Sequence, residues 1–143
     1  MNFQSIAAAL EVPINTALAG ATPPVKIFFD NVVPVAPDAP KEYVKVNISF
    51  GSISESTLEC TLQRARGAIV IRIYTMKDAG ALRARQLSSL IQSVFNQINA
   101  VKKGATGISM RIQDIEGPLF YQGEKEPQFM ARIEASWQAS NIT

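Results

Sequence analysis

The chain has 143 residues, 47% of them hydrophobic and 18% charged, with 14 basic and 12 acidic side chains and no histidine. Such a composition is too apolar for disorder, and one domain over residues 1–143 should bury about two-thirds of its unfolded surface. A net charge of +2, with the basic residues scattered and only Lys102-Lys103 adjacent, gives no electrostatic signature of nucleic-acid binding. The low charge is also compatible with surfaces that other subunits cover.

At the N-terminus, MNFQSIAAALEVPINTALAGA ends in small residues that imitate a signal-peptidase site. It lacks a basic n-region, and Glu11, Pro13 and Asn15 interrupt its apolar run, so no secretory signal is expected. No stretch reaches the roughly 20 apolar residues of a membrane span. The single cysteine, Cys60, permits no internal disulfide and fits a reducing compartment, which makes the sequons at Asn47 and Asn141 chance matches.

In chain order, Asn2 caps a first helix in which Phe3, Ile6, Ala7, Leu10, Ile14 and Leu18 recur at helical spacing. Pro13 is expected to kink it or split it in two, and Thr22-Pro23-Pro24 to stop it. Val25 to Val33 reads as a short strand. Pro34, Pro37 and Pro40 then fall at every third position. A polyproline ligand has that spacing, but such tracts lie in polar, disordered surroundings, and this one lies between apolar strands. A stiff, non-helical crossover is the expectation.

From Tyr43, the residues Val44, Val46, Ile48 and Phe50 face one way and Lys45, Asn47 and Ser49 the other, a half-buried strand. Gly51 to Ser56 reads as a loop or hairpin turn. Thr57 to Thr75 is β-rich in two parts. Leu58, Cys60 and Leu62, leading to Arg64-Ala65-Arg66, suggest an arm beyond the core. Ile69, Ile71 and Ile73, with Ala68, Val70 and Tyr74 on the other side, suggest a central strand covered on both faces.

Asp78 caps a helix from about Gly80 to Val101, whose stripe is Leu87, Leu90, Ile91, Val94, Phe95, Ile98 and Val101. Lys102, Lys103 and Gly104 end it. Ile108, Met110 and Ile112 alternate in a strand, EGPLFYQGEKEP reads as a loop, and Phe129, Ala131, Ile133, Ala135 and Trp137 point inward from a last strand. The fold class is α+β: a mostly antiparallel sheet of about five strands with two helices packed against it.

Without histidine, the commonest general base and transition-metal ligand is missing, and Ser–His–Asp and Cys–His nucleophiles are impossible. No GxxxxGK[ST] or GxGxxG cradle occurs. The carboxylate pairs Asp114/Glu116 and Glu124/Glu126 have the chemistry for acid–base work or a hard cation, but their turn-rich setting reads as solvated charge. Cys60 reads as a small apolar residue. Exposed strand positions are Lys, Asn, Ser and Glu rather than the stacking aromatics of an RNA-binding sheet. No catalytic, cofactor or metal site is expected, and an enzyme working by carboxylates alone is the remotest alternative.

The remaining pattern is one of assembly. The helix SIAAALEVPINTALA, the element Phe29-Asp30-Asn31-Val32, the proline-containing crossover into EYVKVNISF, and Arg64-Ala65-Arg66-Gly67 running into AIVIRIYT and a long amphipathic helix follow one another along the whole chain. In that order they resemble the tail-terminator proteins of long-tailed bacteriophages and related neck and minor tail proteins. Two features depart from the pattern: Pro13 interrupts the first helix, and MKDAG replaces a turn that is often rich in proline and glycine. The resemblance implies a virion protein of the tail or neck, made in the host cytoplasm. It implies a ring, usually a hexamer, that stops tail-tube polymerisation and joins the tail to the head connector. Its partners would be itself, the tail tube protein and the connector or neck protein, with DNA only as cargo through the lumen and no membrane. Candidate contacts are the arm from Ser52 to Arg66, with Arg64 and Arg66, and the span from Gly117 to Pro127, with Phe120, Tyr121, Glu124 and Lys125. A neighbouring neck or minor tail protein of the same fold, or a monomeric protein-binding module, is the alternative.

Overall fold

A computed structural model describes residues 3–21, 25–29, 42–55, 63–76, 82–100, 108–122 and 128–140. The elements are α1 (Phe3–Ala19), β1 (Lys26–Phe28), β2 (Tyr43–Glu55), β3 (Gln63–Met76), α2 (Leu82–Ala100), β4 (Ser109–Gln122) and β5 (Gln128–Ser140). The strands form one sheet in the order β1-β2-β3-β5-β4. The β1–β2 pair is parallel and every other pair antiparallel, so the protein is α+β with a mixed sheet. Parallel pairing of consecutive strands needs a crossover rather than a hairpin. The prolines expected to provide it, and Asn31 and Val32, lie outside the described residues.

The core follows directly from residue spacing. Ile6, Leu10, Ile14 and Leu18 of α1 and Leu87, Ile91, Val94, Phe95 and Ile98 of α2 are buried, each set making one stripe. They join Val44, Val46 and Ile48 of β2, Ile69, Ile71 and Ile73 of β3, and Ala131, Ile133, Ala135 and Trp137 of β5 in one cluster. Ile71 and Phe95 are both fully buried within it, as their patterns require.

Several expectations need correction. Pro13 does not divide α1, which is a single helix of 17 residues. The proline removes one backbone donor, but the buried stripe continues at four-residue spacing on both sides of it, and packing of that stripe outweighs one lost bond. Downstream, Thr16 Oγ1 donates to Val12 O at 2.9 Å. The chain then turns at once, with both Ala21 N and Val25 N donating to Leu18 O at 3.2 Å. The caps at Asn2 and Asp78 lie outside the described residues.

Gly51 to Glu55 is strand rather than loop, because β3 continues alongside it: Ser52 to Glu55 pair with Arg66 to Gln63. A one-residue bulge at Gly51 absorbs the irregularity. Leu58, Cys60 and Leu62 lie outside the described residues. The outer face of β3 is not covered as expected; Ala68, Val70, Arg72 and Tyr74 are half-buried, and both helices contribute to the single cluster on the other face.

The span from Gly117 to Gln122, expected as loop, is the second half of β4. Its turn-like residues make two one-residue bulges against β5, between Gln113 and Glu116 and between Glu116 and Leu119. Asp114 has φ 52° and Gly117 φ 101°, the left-handed conformations such bulges require. A Cβ on Gly117 would lie 2.5 Å from Arg132 O, so only glycine lets the strand pass this close to β5.

Candidate functional site

The candidate contacts are surface groups, and two sheet edges differ from the rest. The first is the end of the molecule where β2 and β3 run together past the helices. Ala65 is buried on the helix side, so alternation puts Arg64 and Arg66 on the outer face. Arg64 lies opposite Ser54 and Ser140, and Arg66 opposite Ser52 and Gln138. Both arginines are exposed, and neither has an ion pair among the described residues. From Arg64 onward β3 is paired on both sides, so the arm is no lone strand. The open edge belongs to β2, which beyond Lys45 is paired on its β3 side alone among the described residues.

On the helix side of that end, Phe50, Gly67 and Trp137 stand in one row across three strands. Gly67 has no side chain, so the Trp137 indole occupies its place and donates through Nε1 to Ala68 O at 3.1 Å. Phe50 meets the indole edge to face, with centroids 5.5 Å apart, and Phe3 meets Phe50 at 4.9 Å. Trp137 is buried, but Phe50, expected inward, is 42% exposed, and Ile53 opposite Ala65 is 51% exposed. The inward period of β2 therefore continues past the edge of the helix layer and leaves apolar groups in the open.

The second edge is β4. Its first half is closed by α2: Asn99 Oδ1 accepts from Ile112 N at 2.6 Å and its Nδ2 donates to Ile112 O at 3.0 Å, one side chain occupying both ladder groups. Its second half is bulged and exposes Asp114, Ile115, Glu116 and Leu119. Asp114 and Glu116, read as loop carboxylates, thus lie on an edge strand. Phe120 is 39% exposed and sits opposite the buried Ala131. The Tyr121 backbone pairs with Met130, while Glu124 and Lys125 lie outside the described residues. Arg64 and Arg66 thus lie on the interior strand β3, next to the open edge of β2, and Phe120 lies on the edge strand β4.

The outer face between the edges carries a row of Lys45, Arg72 and Arg132. Arg72 and Arg132 stand directly opposite, a pairing that costs a fraction of a kcal/mol unless each finds another partner. Arg72 Nη1 donates to Asn47 Oδ1 at 3.0 Å, and Arg132 pairs with Glu134 at 3.0 Å. Tyr43 and Tyr74 stack beside this row at 4.5 Å, which the sequence reading missed because it took each strand by itself. Among the described residues, no three of His, Cys, Asp and Glu come together as metal ligands, and no helix is long and apolar enough to cross a membrane.

No family model and no curated protein matches the chain. Among solved structures, one protein whose designation names no activity is similar over 97% of this chain and 96% of its own, with a TM-score of 0.72 and 17% identity. At that identity the likeness establishes the fold alone.

Proposed function

We propose that this protein is a structural component of a virion: a ring-forming tail terminator of a long-tailed bacteriophage. The observation that carries the reading is the pair of opposite sheet edges with exposed apolar and charged side chains, in a chain whose element order resembles that family throughout. Exposed apolar groups rimmed by charge mark protein contacts. The ring, of six copies, docks on the last ring of the tail tube through one face. Its other face accepts the head connector and adds no tube subunits, so polymerisation stops there. DNA passes through the lumen as cargo. The work is contact rather than catalysis, and it uses no cofactor and no membrane.

Electron microscopy of tails, with light scattering of the concentrated protein, tests the ring. A six-fold ring at the head-proximal end of the tube is expected. A protein that stays strictly monomeric and is absent from tail particles overturns the reading and points to a monomeric binding module. A ring whose loss leaves tail length unchanged points to a neighbouring neck or minor tail protein. A second test bears on the arm. Arg64→Glu together with Arg66→Glu is expected to leave the circular dichroism spectrum unchanged but to impair ring formation or tube docking. Charge pairs desolvated at an interface couple by a few kcal/mol, whereas exposed ones contribute under about 1. Normal tails of normal length from that double variant would remove the arm from the contact.

A further inference from the structure

We infer that the outer face of the sheet, which no described helix covers, binds the phosphate backbone of duplex DNA without regard to sequence. The contacts are Lys45, Arg64, Arg66 and Arg72 of β2 and β3, with Arg111 of β4 beside them.

These residues are scattered in the sequence, and the fold gathers them. Each has a neighbour along its strand that is buried on the helix side, so alternation turns all of them, and Arg132, outward. Arg66 and Arg111 share one row across the sheet through Gln138, and Lys45, Arg72 and Arg132 share another. On this face β2 and β3 contribute no carboxylate among the described residues. The acidic side chains that the register places there are Glu134, already paired with Arg132 at 3.0 Å, and Glu116 opposite it. Lys45, Arg64, Arg66 and Arg111 have no ion pair among the described residues. One surface is therefore strongly basic on a chain whose net charge is only +2.

The kind of polyanion follows from what lies between the charges. Arg66 and Arg72 are six residues apart on β3, roughly 20 Å of extended chain. Ala68 and Val70 lie low between them, with Ser49 and Ser136 alongside. Phosphates on either side of a major groove about 12 Å wide come within reach of long side chains at both ends. The hydroxyls and amides nearby suit phosphate oxygens. A single strand instead needs free aromatic faces for its bases. Tyr43 and Tyr74 stack on each other at 4.5 Å, and Phe28 closes on Tyr43 edge to face at 5.5 Å, so these rings are already engaged. An acidic protein would be anchored by large apolar groups. The exposed Phe50 and Ile53 stand opposite Gly67 and the buried Ala65, and hence on the helix side. Turning this face toward the lumen, where DNA passes, rests on the ring reading; the affinity for DNA does not.

Fluorescence anisotropy with a labelled random-sequence duplex tests the inference on the full chain. Binding is expected, with log affinity falling linearly with log salt between about 50 and 200 mM. Lys45→Gln with Arg111→Gln should weaken binding about tenfold and reduce the salt slope by about two contacts. Arg85→Glu changes the net charge equally but lies exposed on α2, on the far side of the sheet, and should change affinity less than about twofold with the slope intact. Circular dichroism and light scattering on each variant confirm that fold and assembly are unchanged. No binding at the lowest salt, or an equal loss with Arg85→Glu, overturns the inference. Polyglutamate bound as tightly as the duplex also overturns it and points to an acidic protein partner. A ring without DNA affinity overturns this surface and leaves the ring reading intact, whereas a monomer that binds duplex through these residues does the reverse.

Discussion

Phe95→Ala is expected to lower the unfolding free energy by about 3–5 kcal/mol and the melting temperature by roughly 10–20 °C. Phe95 is fully buried on α2 and belongs to the cluster shared by both helices and the sheet. Its truncation removes the transfer energy of a phenyl ring and leaves a cavity in a close-packed interior that collapses only in part. Leu82→Ala, on the same helix but 67% exposed, is the control, and should change stability by no more than about 0.5 kcal/mol. Thermal unfolding at dilution reads both. A shift of a degree or two for Phe95→Ala would mean that the buried stripe of α2 is misassigned.

Gly67→Ala has the second-largest expected effect, and its sign is opposite to the local rule. Glycine inside a strand ordinarily costs about 0.5–1 kcal/mol relative to alanine, so local reasoning predicts that the change stabilises. Here a new Cβ would lie 2.5 Å from Trp137 Cζ2 and 2.7 Å from Cε2, and it would also run into the backbone oxygen of Ser49. The indole cannot retreat without giving up its bond to Ala68 O, and the Ser49 carbonyl is held on β2. A destabilisation of about 1–3 kcal/mol is expected from the overpacking, read by denaturant unfolding. Tryptophan fluorescence should change with it, since the perturbed group is the chain's single tryptophan. Gly51→Ala is the comparison: the nearest atom to its Cβ would be Arg66 O at 3.1 Å, a tight contact, with the others at ordinary van der Waals distance. Gly67→Ala as stable as the parent, with Gly51→Ala destabilised, would contradict the slot for the indole.

The elements with a strong period were legible residue by residue. Ile6, Leu10, Ile14 and Leu18 specify α1, and the stripe from Leu87 to Ile98 specifies α2. Val44, Val46 and Ile48, or Ala131, Ile133 and Ala135, specify strands and the face each one buries. In these segments the burial of one face repeats at the period of the backbone, so the pattern carries both the element and its orientation. The absence of histidine and of phosphate-binding motifs was equally plain, and it left surfaces rather than a pocket as the candidate site. Tertiary structure decided whatever depends on a partner distant in sequence. Gly51 to Glu55 and Gly117 to Gln122 have turn composition, yet both are strands, because β3 and β5 supply ladders that local propensity cannot anticipate and single-residue bulges absorb the misfit. Asp114 and Glu116 thereby move from a solvated loop to an edge strand. Phe50 and Ile53 keep the inward period of a strand but outrun the helices, so they are exposed where the pattern alone predicts burial. Period determines which way a side chain points. Whether another layer meets it there is set by where the helices end and by what packs against the sheet.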